Sequence, residues 1–143
     1  MKKILFVCKY NRFRSRTAEA YFNKINKNKN YKAESAGVIK GFLPLDKTQV
    51  RVGKEYGFSI LGKPRTMDME MLRKSDKIII VANDVPKEIF SYWWYKDKVI
   101  KWEIPDVVEG KNLAQNRRTV KMIMKKVKTL VKDLENKKCR LKK

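Results

Sequence analysis

Histidine is absent from this chain, and cysteine occurs only as Cys8 and Cys139. The two gaps together exclude a His–Cys metal cluster and any Ser–His or Cys–His dyad. A general acid, if there is one, must be a carboxylate, a tyrosine or a lysine. No metal or cofactor is expected, and neither disulfide nor metal is needed to stabilise a domain of 143 residues. Long hydrophobic runs are lacking as well. None approaches the roughly 20 residues of a membrane span, and the opening apolar run is too short for a secretion signal. The expected location is cytoplasmic, where a free thiol stays reduced.

Acidic residues are also scarce. Fifteen Asp and Glu stand against 36 Lys and Arg, which leaves a net charge of +21 and a pI near 10.1. A field of that sign attracts phosphorylated, acidic or nucleic partners. The lysines are spread along the whole chain, without a stripe of interleaved aromatics. A generally solvated basic surface is therefore favoured over a dedicated nucleic-acid site.

The richest chemistry lies near the amino terminus, in Val7-Cys8-Lys9-Tyr10-Asn11-Arg12-Phe13-Arg14-Ser15. Lys3 to Val7 is short, apolar and β-branched or aromatic, which reads as a buried parallel strand with Cys8 at its carboxyl end. Thr17, Ala18, Ala20, Tyr21, Phe22 and Ile25 recur at helical spacing, so a helix starts at Arg14 or Ser15. A strand, a tight loop and a helix amino terminus make an anion site, because the first amides of a helix have no internal partner and its dipole end is positive. A thiol there, beside Lys9, Arg12 and Arg14, is driven toward the thiolate and becomes a nucleophile. Five residues between Cys8 and Arg14 let the backbone curl round a tetrahedral oxyanion, with Arg14 gripping two oxygens. Ser15 lies next to the sulfur. The arrangement suits attack of sulfur on phosphorus through a covalent intermediate.

Further along, Asn23 to Asn30 has turn character and Tyr31 to Ser35 reads as a second strand, ended by Ala36-Gly37. Val38 to Leu45 is a loop. Asp46 caps a helix to about Tyr56, with Gly57 at its end. Phe58 to Arg65 is irregular, and Met67 to Leu72 forms a short helix capped by Thr66 or Asp68, its methionines serving as core filler. Lys77 to Val81 is a central strand, and Asn83-Asp84 with Pro86 opens a helix reaching about Tyr92. Ser91-Tyr92-Trp93-Trp94-Tyr95 reads mainly as a cover for the sheet edge, with a docking patch as the sharper alternative. Lys98 to Trp102 is a fourth strand running into Glu103-Ile104-Pro105-Asp106. Asp106 thus lies past a strand's carboxyl end, on the edge that carries Cys8 if both strands are parallel, where open α/β sheets place their sites. A last helix spans about Asn112 to Asn136, its stripe running from Leu113 through Val120, Ile123 and Val127 to Leu134. Cys139 is placed beyond it, in a basic tail. The architecture expected is one α/β domain over residues 1–138, a four-stranded, mostly parallel sheet with helices on both faces, followed by a tail over 139–143.

The run from Val7 to Ser15, continued by Arg16-Thr17-Ala18-Glu19-Ala20-Tyr21-Phe22, resembles the phosphate loop and first helix of the low-molecular-weight protein tyrosine phosphatases, within the arsenate reductase-like superfamily. The likeness extends weakly over most of the chain, including Glu34-Ser35-Ala36-Gly37. It implies a sheet with the second strand at an edge and the first inside. It implies Cys8 as nucleophile, Arg14 as transition-state clamp, Asp106 as the acid that protonates the leaving oxygen, and Phe42 as an aromatic wall of the cleft. Lys9, Tyr10, Asn11, Arg12, Phe13 and Ser15 make up the rest of the loop.

Four departures from the family pattern bear on function. Tyr10 replaces a usual glycine, so its backbone is either ordinary or strained. Asn11 matches the family's loop asparagine, which tolerates left-handed geometry. Arg12 replaces an apolar or small residue at the pocket mouth, which suggests a substrate with more negative charge than phosphotyrosine. Phe13 stands where some members carry a second cysteine, removing a neighbouring disulfide as protection for Cys8. Asp106 is followed by Val107 and Val108 instead of proline and an aromatic residue, which alters the leaving-group wall.

The reading is a phosphomonoester hydrolase acting on a phosphorylated protein or a small phosphomonoester, with phosphate or another oxyanion in the loop. A catalytically weak phosphate-binding or nucleic-acid-binding module is the alternative. Arsenate reduction is less favoured, because a thiol relay needs further cysteines and only Cys139 exists.

Overall fold

A computed structural model describes residues 1–41, 45–91, 96–107 and 112–141. Four strands, β1 (Lys2–Cys8), β2 (Tyr31–Gly37), β3 (Lys77–Val81) and β4 (Val99–Trp102), form one sheet in the order β2-β1-β3-β4. Every pairing is parallel. The expected α/β architecture is observed, with β2 at one edge and β1 inside. Parallel strands need crossovers, which are supplied by α1 (Arg14–Ile25), α2 (Lys47–Glu55) and α3 (Met69–Lys74), while α4 (Leu113–Leu141) follows the last strand.

Because side chains alternate across a strand, β1 feeds two cores. Ile4 and Phe6 join Ile79, Trp102 and the inner faces of α1 and α4, including Phe22, Val120, Ile123 and Val127. Leu5 and Val7 join Ile78, Ile80, Val99, Leu72 and Phe90 on the opposite face. Phe6 sits between two rings, edge-on to Phe22 at 6.1 Å and tilted against Trp102 at 5.7 Å. Residues such as Phe6 each contribute roughly 1.5–3 kcal/mol of burial, and they hold the end of β1 rigid where Cys8 begins the loop.

Local boundaries mostly follow their chemistry. Asp46 caps α2 by accepting from the amides of Thr48 and Gln49, and Gly57, next after the C-cap Tyr56, has φ +84°. Asp68 caps α3, accepting from Met71 N at 2.8 Å, so that helix starts later than the expected Met67. Met67 and Met71 pack on the core, but Met69 is 58 % exposed and fills nothing.

Two expectations are corrected. The helix expected over residues 83–92 is a single 3₁₀ turn, Lys87–Phe90. Only Phe90 of that turn is buried, so no apolar stripe rewards a longer helix. The final helix continues beyond Asn136 to Leu141, so the Cys139 backbone is helical and not in a frayed tail. Phe42, the Tyr92 to Tyr95 aromatic cluster and Val108 lie outside the described residues. No helix among the described residues is long and apolar enough to cross a membrane.

Candidate active site

Parallel pairing brings the carboxyl ends of β1, β3 and β4 to one edge, and the loops after them meet there. Cys8 is the last residue of β1 and is buried, with Sγ 2.9 Å from Ser15 Oγ. The helix that opens at Arg14 has no side-chain cap on Phe13 and no acidic residue in its first turn. Its positive end is therefore left uncompensated and faces the loop, which favours an anion there.

Asn11 organises the loop from behind. It carries the left-handed φ of 55°, and among the described residues it is the non-glycine that does so. Tyr10 accordingly keeps an ordinary φ, which resolves the alternative left open by its replacement of glycine. Asn11 Nδ2 donates to Ser15 Oγ at 2.8 Å and to Ser35 Oγ at 2.9 Å. With one lone pair of Ser15 taken by that amide, its own hydroxyl proton is free to point at the sulfur 2.9 Å away. Ser35 Oγ donates onward to Glu19 Oε1, which also accepts from Arg65 Nη2, and Arg65 N closes the ring by donating to Asn11 Oδ1.

Arg16 adds a second brace. Its guanidinium donates to three carbonyls, Asn11 O, Ile60 O and Gly62 O, each at 2.7 Å. Burial pushes its pKa down, the nearby Glu19 carboxylate works in the opposite direction, and Arg65 lowers it further. Gly37 supplies the floor: a Cβ on it would meet Tyr10 C at 2.7 Å and Asn11 N at 2.8 Å, backbone atoms that cannot swing aside.

Arg14 is buried and doubly held. Nη1 donates to Ile104 O at 2.9 Å, and Nη2 lies 3.0 Å from Asp84 Oδ1 and 3.9 Å from Asp106 Oδ1. A cavity of about 220 Å³ is lined by Cys8, Arg14, Phe13, Tyr10 and Arg12 on the loop side. Asp46, Gln49, Asp106 and Val107 complete it. Gln49 Nε2 is tied to Asn116 Oδ1 at 3.3 Å, linking that wall to α4. Asp106 is 51 % exposed, at the mouth of the cavity.

Of the residues singled out in the sequence, Cys8, Tyr10, Arg12, Phe13, Arg14 and Asp106 meet around one cavity, and Asn11 and Ser15 support it from below. Lys9 does not line it; its ammonium lies 5.3 Å from the centre of the Tyr10 ring. Glu103, the other acid in the Glu103-Ile104-Pro105-Asp106 run, is turned to Lys101 at 3.6 Å. Sequence reasoning missed Asp84, Arg16, Gly37 and Asp46 as parts of the site. Asp84 carried a usable signal, since it follows the carboxyl end of the clearest strand. Arg16 and Gly37 stood in stretches that resemble the family, but nothing local marked their bracing roles, because Ile60 O and Gly62 O, and for Gly37 the backbone of Tyr10 and Asn11, lie far off in the chain. Among the described residues no group of His, Cys, Asp or Glu could hold a metal ion.

Residues 3–140 match the family model described as low molecular weight phosphotyrosine protein phosphatase. No curated protein sequence matches the chain. Among solved structures, a protein tyrosine phosphatase from Entamoeba histolytica with Hepes in its active site is 26 % identical with a TM-score of 0.85, covering 96 % of this chain and 99 % of its own. An arsenate reductase from Archaeoglobus fulgidus is 33 % identical with a TM-score of 0.69, covering 90 % and 98 %. The YwlE arginine phosphatase from Geobacillus stearothermophilus shares the fold at 20 % identity, with a TM-score of 0.84 and coverage of 98 % and 97 %.

Proposed function

Since the chain belongs to the low molecular weight phosphotyrosine protein phosphatase family, we propose that it hydrolyses phosphomonoesters through a cysteinyl-phosphate. The observation that carries this reading is the Cys8 sulfur, 2.9 Å from Ser15 Oγ and placed in one cavity with Arg14 at an uncapped helix amino terminus. The Cys8 thiolate attacks phosphorus, an S–P bond forms, and the bond from phosphorus to the leaving oxygen breaks. Asp106 as carboxylic acid gives that oxygen its proton, so an alcohol or phenol departs. Asp106, now a carboxylate, takes a proton from water whose oxygen attacks phosphorus. The S–P bond breaks, the thiolate returns and inorganic phosphate leaves. Arg14 and the loop amides neutralise the equatorial oxygens in both steps, and electrostatic stabilisation of this kind is commonly the largest single contribution to rate. General acid catalysis by Asp106 adds roughly 10²- to 10⁴-fold.

The substrate is a phosphorylated protein or a small phosphomonoester. Arg12 at the cavity favours a substrate with negative charge beyond the phosphoryl group. A second reading rests on Asp46 and Asp106, which place two carboxylates in the same cavity. That pair suits a cationic leaving group, as in the phosphoarginine implied by the arginine phosphatase among its structural relatives. The ratio of turnover on phosphoarginine to phosphotyrosine decides between the two.

Steady-state hydrolysis of an aryl phosphate by the wild type and by Cys8→Ser, from mildly acidic to neutral pH, tests the mechanism. Turnover that disappears in the variant is the expected result. A folded wild type without turnover would reduce the loop to anion binding and make the weak phosphate- or nucleic-acid-binding module the better account.

A further inference from the structure

β4 ends the sheet, and along its α4 side runs a groove of about 870 Å³, well apart in lining residues from the Cys8 cavity. Ile79, Trp102 and Leu130 form its apolar floor. Its two walls leave large aliphatic side chains in water, Ile100 on β4 at 40 % and Met122 on α4 at 42 % exposure. Apolar side chains gathered in one concave place, with a polar rim, mark interaction surfaces more often than scattered ones do. The rim is mainly cationic. Lys77, Lys125 and Lys126 line it, and of the acids there, Asp133 and Glu103, the second is 3.6 Å from Lys101.

The groove also has a direction. One end is Ile104, whose carbonyl accepts the Arg14 Nη1 hydrogen bond at 2.9 Å, so the groove finishes at the edge of the sheet that carries Cys8. The four residues of β4 span roughly 13 Å at about 3.3 Å per residue, the length of a short extended peptide.

We infer that this groove docks an acidic, apolar-bearing segment of a phosphorylated protein substrate, seated along β4 and leading its phosphorylated residue toward Cys8. Alternate apolar side chains of the segment lie against Ile100, Trp102 and Met122, and its carboxylates meet Lys125 and Lys126. Peptides commonly bind sheet edges in this way, with pockets for alternate side chains supplying specificity. The identity of the partner as substrate rests on the phosphatase reading; the occupancy of the groove does not.

Fluorescence anisotropy of a fluorescein-labelled peptide alternating glutamate and leucine, titrated with the full chain, tests occupancy. Lys125→Glu with Lys126→Glu, and separately Ile100→Ser with Met122→Ser, are each expected to weaken binding by about tenfold or more. Lys29→Glu with Lys32→Glu changes net charge by the same amount at the opposite sheet edge and is expected to leave binding within about twofold once salt screens the diffuse field. Equal losses in the two charge variants would overturn the proposal in favour of that diffuse field. So would a concentration-dependent dimer, seen by sedimentation, that Ile100→Ser with Met122→Ser abolishes, since the occupant would then be a second copy. A phosphotyrosine peptide carrying the same acidic segment is expected to show a KM about tenfold lower than one without it, and the groove variants are expected to erase the difference while hydrolysing an untailed aryl phosphate like the wild type. An unchanged KM would remove the substrate from the groove. Absence of aryl phosphate turnover in the wild type, with anisotropy unaffected, would defeat the phosphatase reading alone.

Discussion

Arg14 Nη2 lies 3.0 Å from Asp84 Oδ1, an ion pair that joins the Cys8–Arg14 loop to the loop after β3. Arg14 is buried while the Asp84 side chain is one-third exposed, so the pair fixes a guanidinium in place at the rim of the site. With Ile104 O holding the other terminal nitrogen, the plane of the guanidinium is set by two loops at once. We predict that Asp84→Ala lowers kcat on an aryl phosphate by about tenfold or more, since misoriented catalytic groups lose rate steeply. Competitive inhibition by inorganic phosphate should change far less, because the positive charge remains. Equal effects on the two would mean that Asp84 acts by charge and not by orientation.

Asp106 is 3.9 Å from the same guanidinium and shares the cavity with Cys8. If it is the acid, Asp106→Asn should slow alkyl phosphates, whose leaving groups need a proton, far more than nitrophenyl phosphate, whose leaving group does not. Kinetics on a series of leaving groups measures this as a steeper dependence on leaving-group pKa. A parallel loss across the series would remove Asp106 from that role.

Arg12 lines the cavity beside Tyr10. Arg12→Ile is expected to raise the ratio of kcat/KM for plain phosphotyrosine to that for phosphate esters bearing a second anion by about tenfold, the worth of one charge-assisted contact. An unchanged ratio would show that the charge of Arg12 is spent elsewhere.

Gly37 is in β2, yet it decides the loop. A methyl group there would lie 2.7 Å from Tyr10 C and 2.8 Å from Asn11 N, so Gly37→Ala must push the loop backbone away. Turnover should fall by well over tenfold with the melting transition still cooperative, because displacements of about an ångström cost that much in a positioned site. Circular dichroism and kinetics on the same sample check both halves.

Arg117 and Glu55 clamp α4 to α2 through two hydrogen bonds, at 2.9 and 3.0 Å. The Arg117 hydrogen bond holds the Glu55 carboxyl below its ordinary pKa, and Glu55 raises that of Arg117. A carboxyl group with a depressed folded pKa contributes stability above its unfolded value, about 4.3, and loses it as pH falls through the folded value. Arg117→Ala should therefore lower Tm at neutral pH and converge with the wild type in strong acid. A Tm difference that persists there would assign the effect to packing of the arginine stem.

Much of this protein was legible from local pattern. The β3 boundaries at Lys77 and Val81, the start of α1 at Arg14 and the Asp46 cap all came from apolar period, turn residues and capping chemistry, which act within a few residues. The 83–92 helix failed because helical signals there had no apolar face behind them, and α4 outran its expected end because a basic helix can continue past its last core residue.

By itself the sequence determined a cysteine, five residues and an arginine at a strand-to-helix junction, because the motif is contiguous and its geometry is local. It also determined that no histidine could serve as acid or base. Tertiary structure alone decided that Arg14 is held by Asp84 and Ile104, that Arg16 reaches two distant carbonyls, Ile60 O and Gly62 O, and that Gly37 leaves room for Asn11. Those contacts join segments far apart in the chain. They exist only because β1 lies between β2 and β3, an order set by which apolar faces pack together and carried by no single stretch of residues.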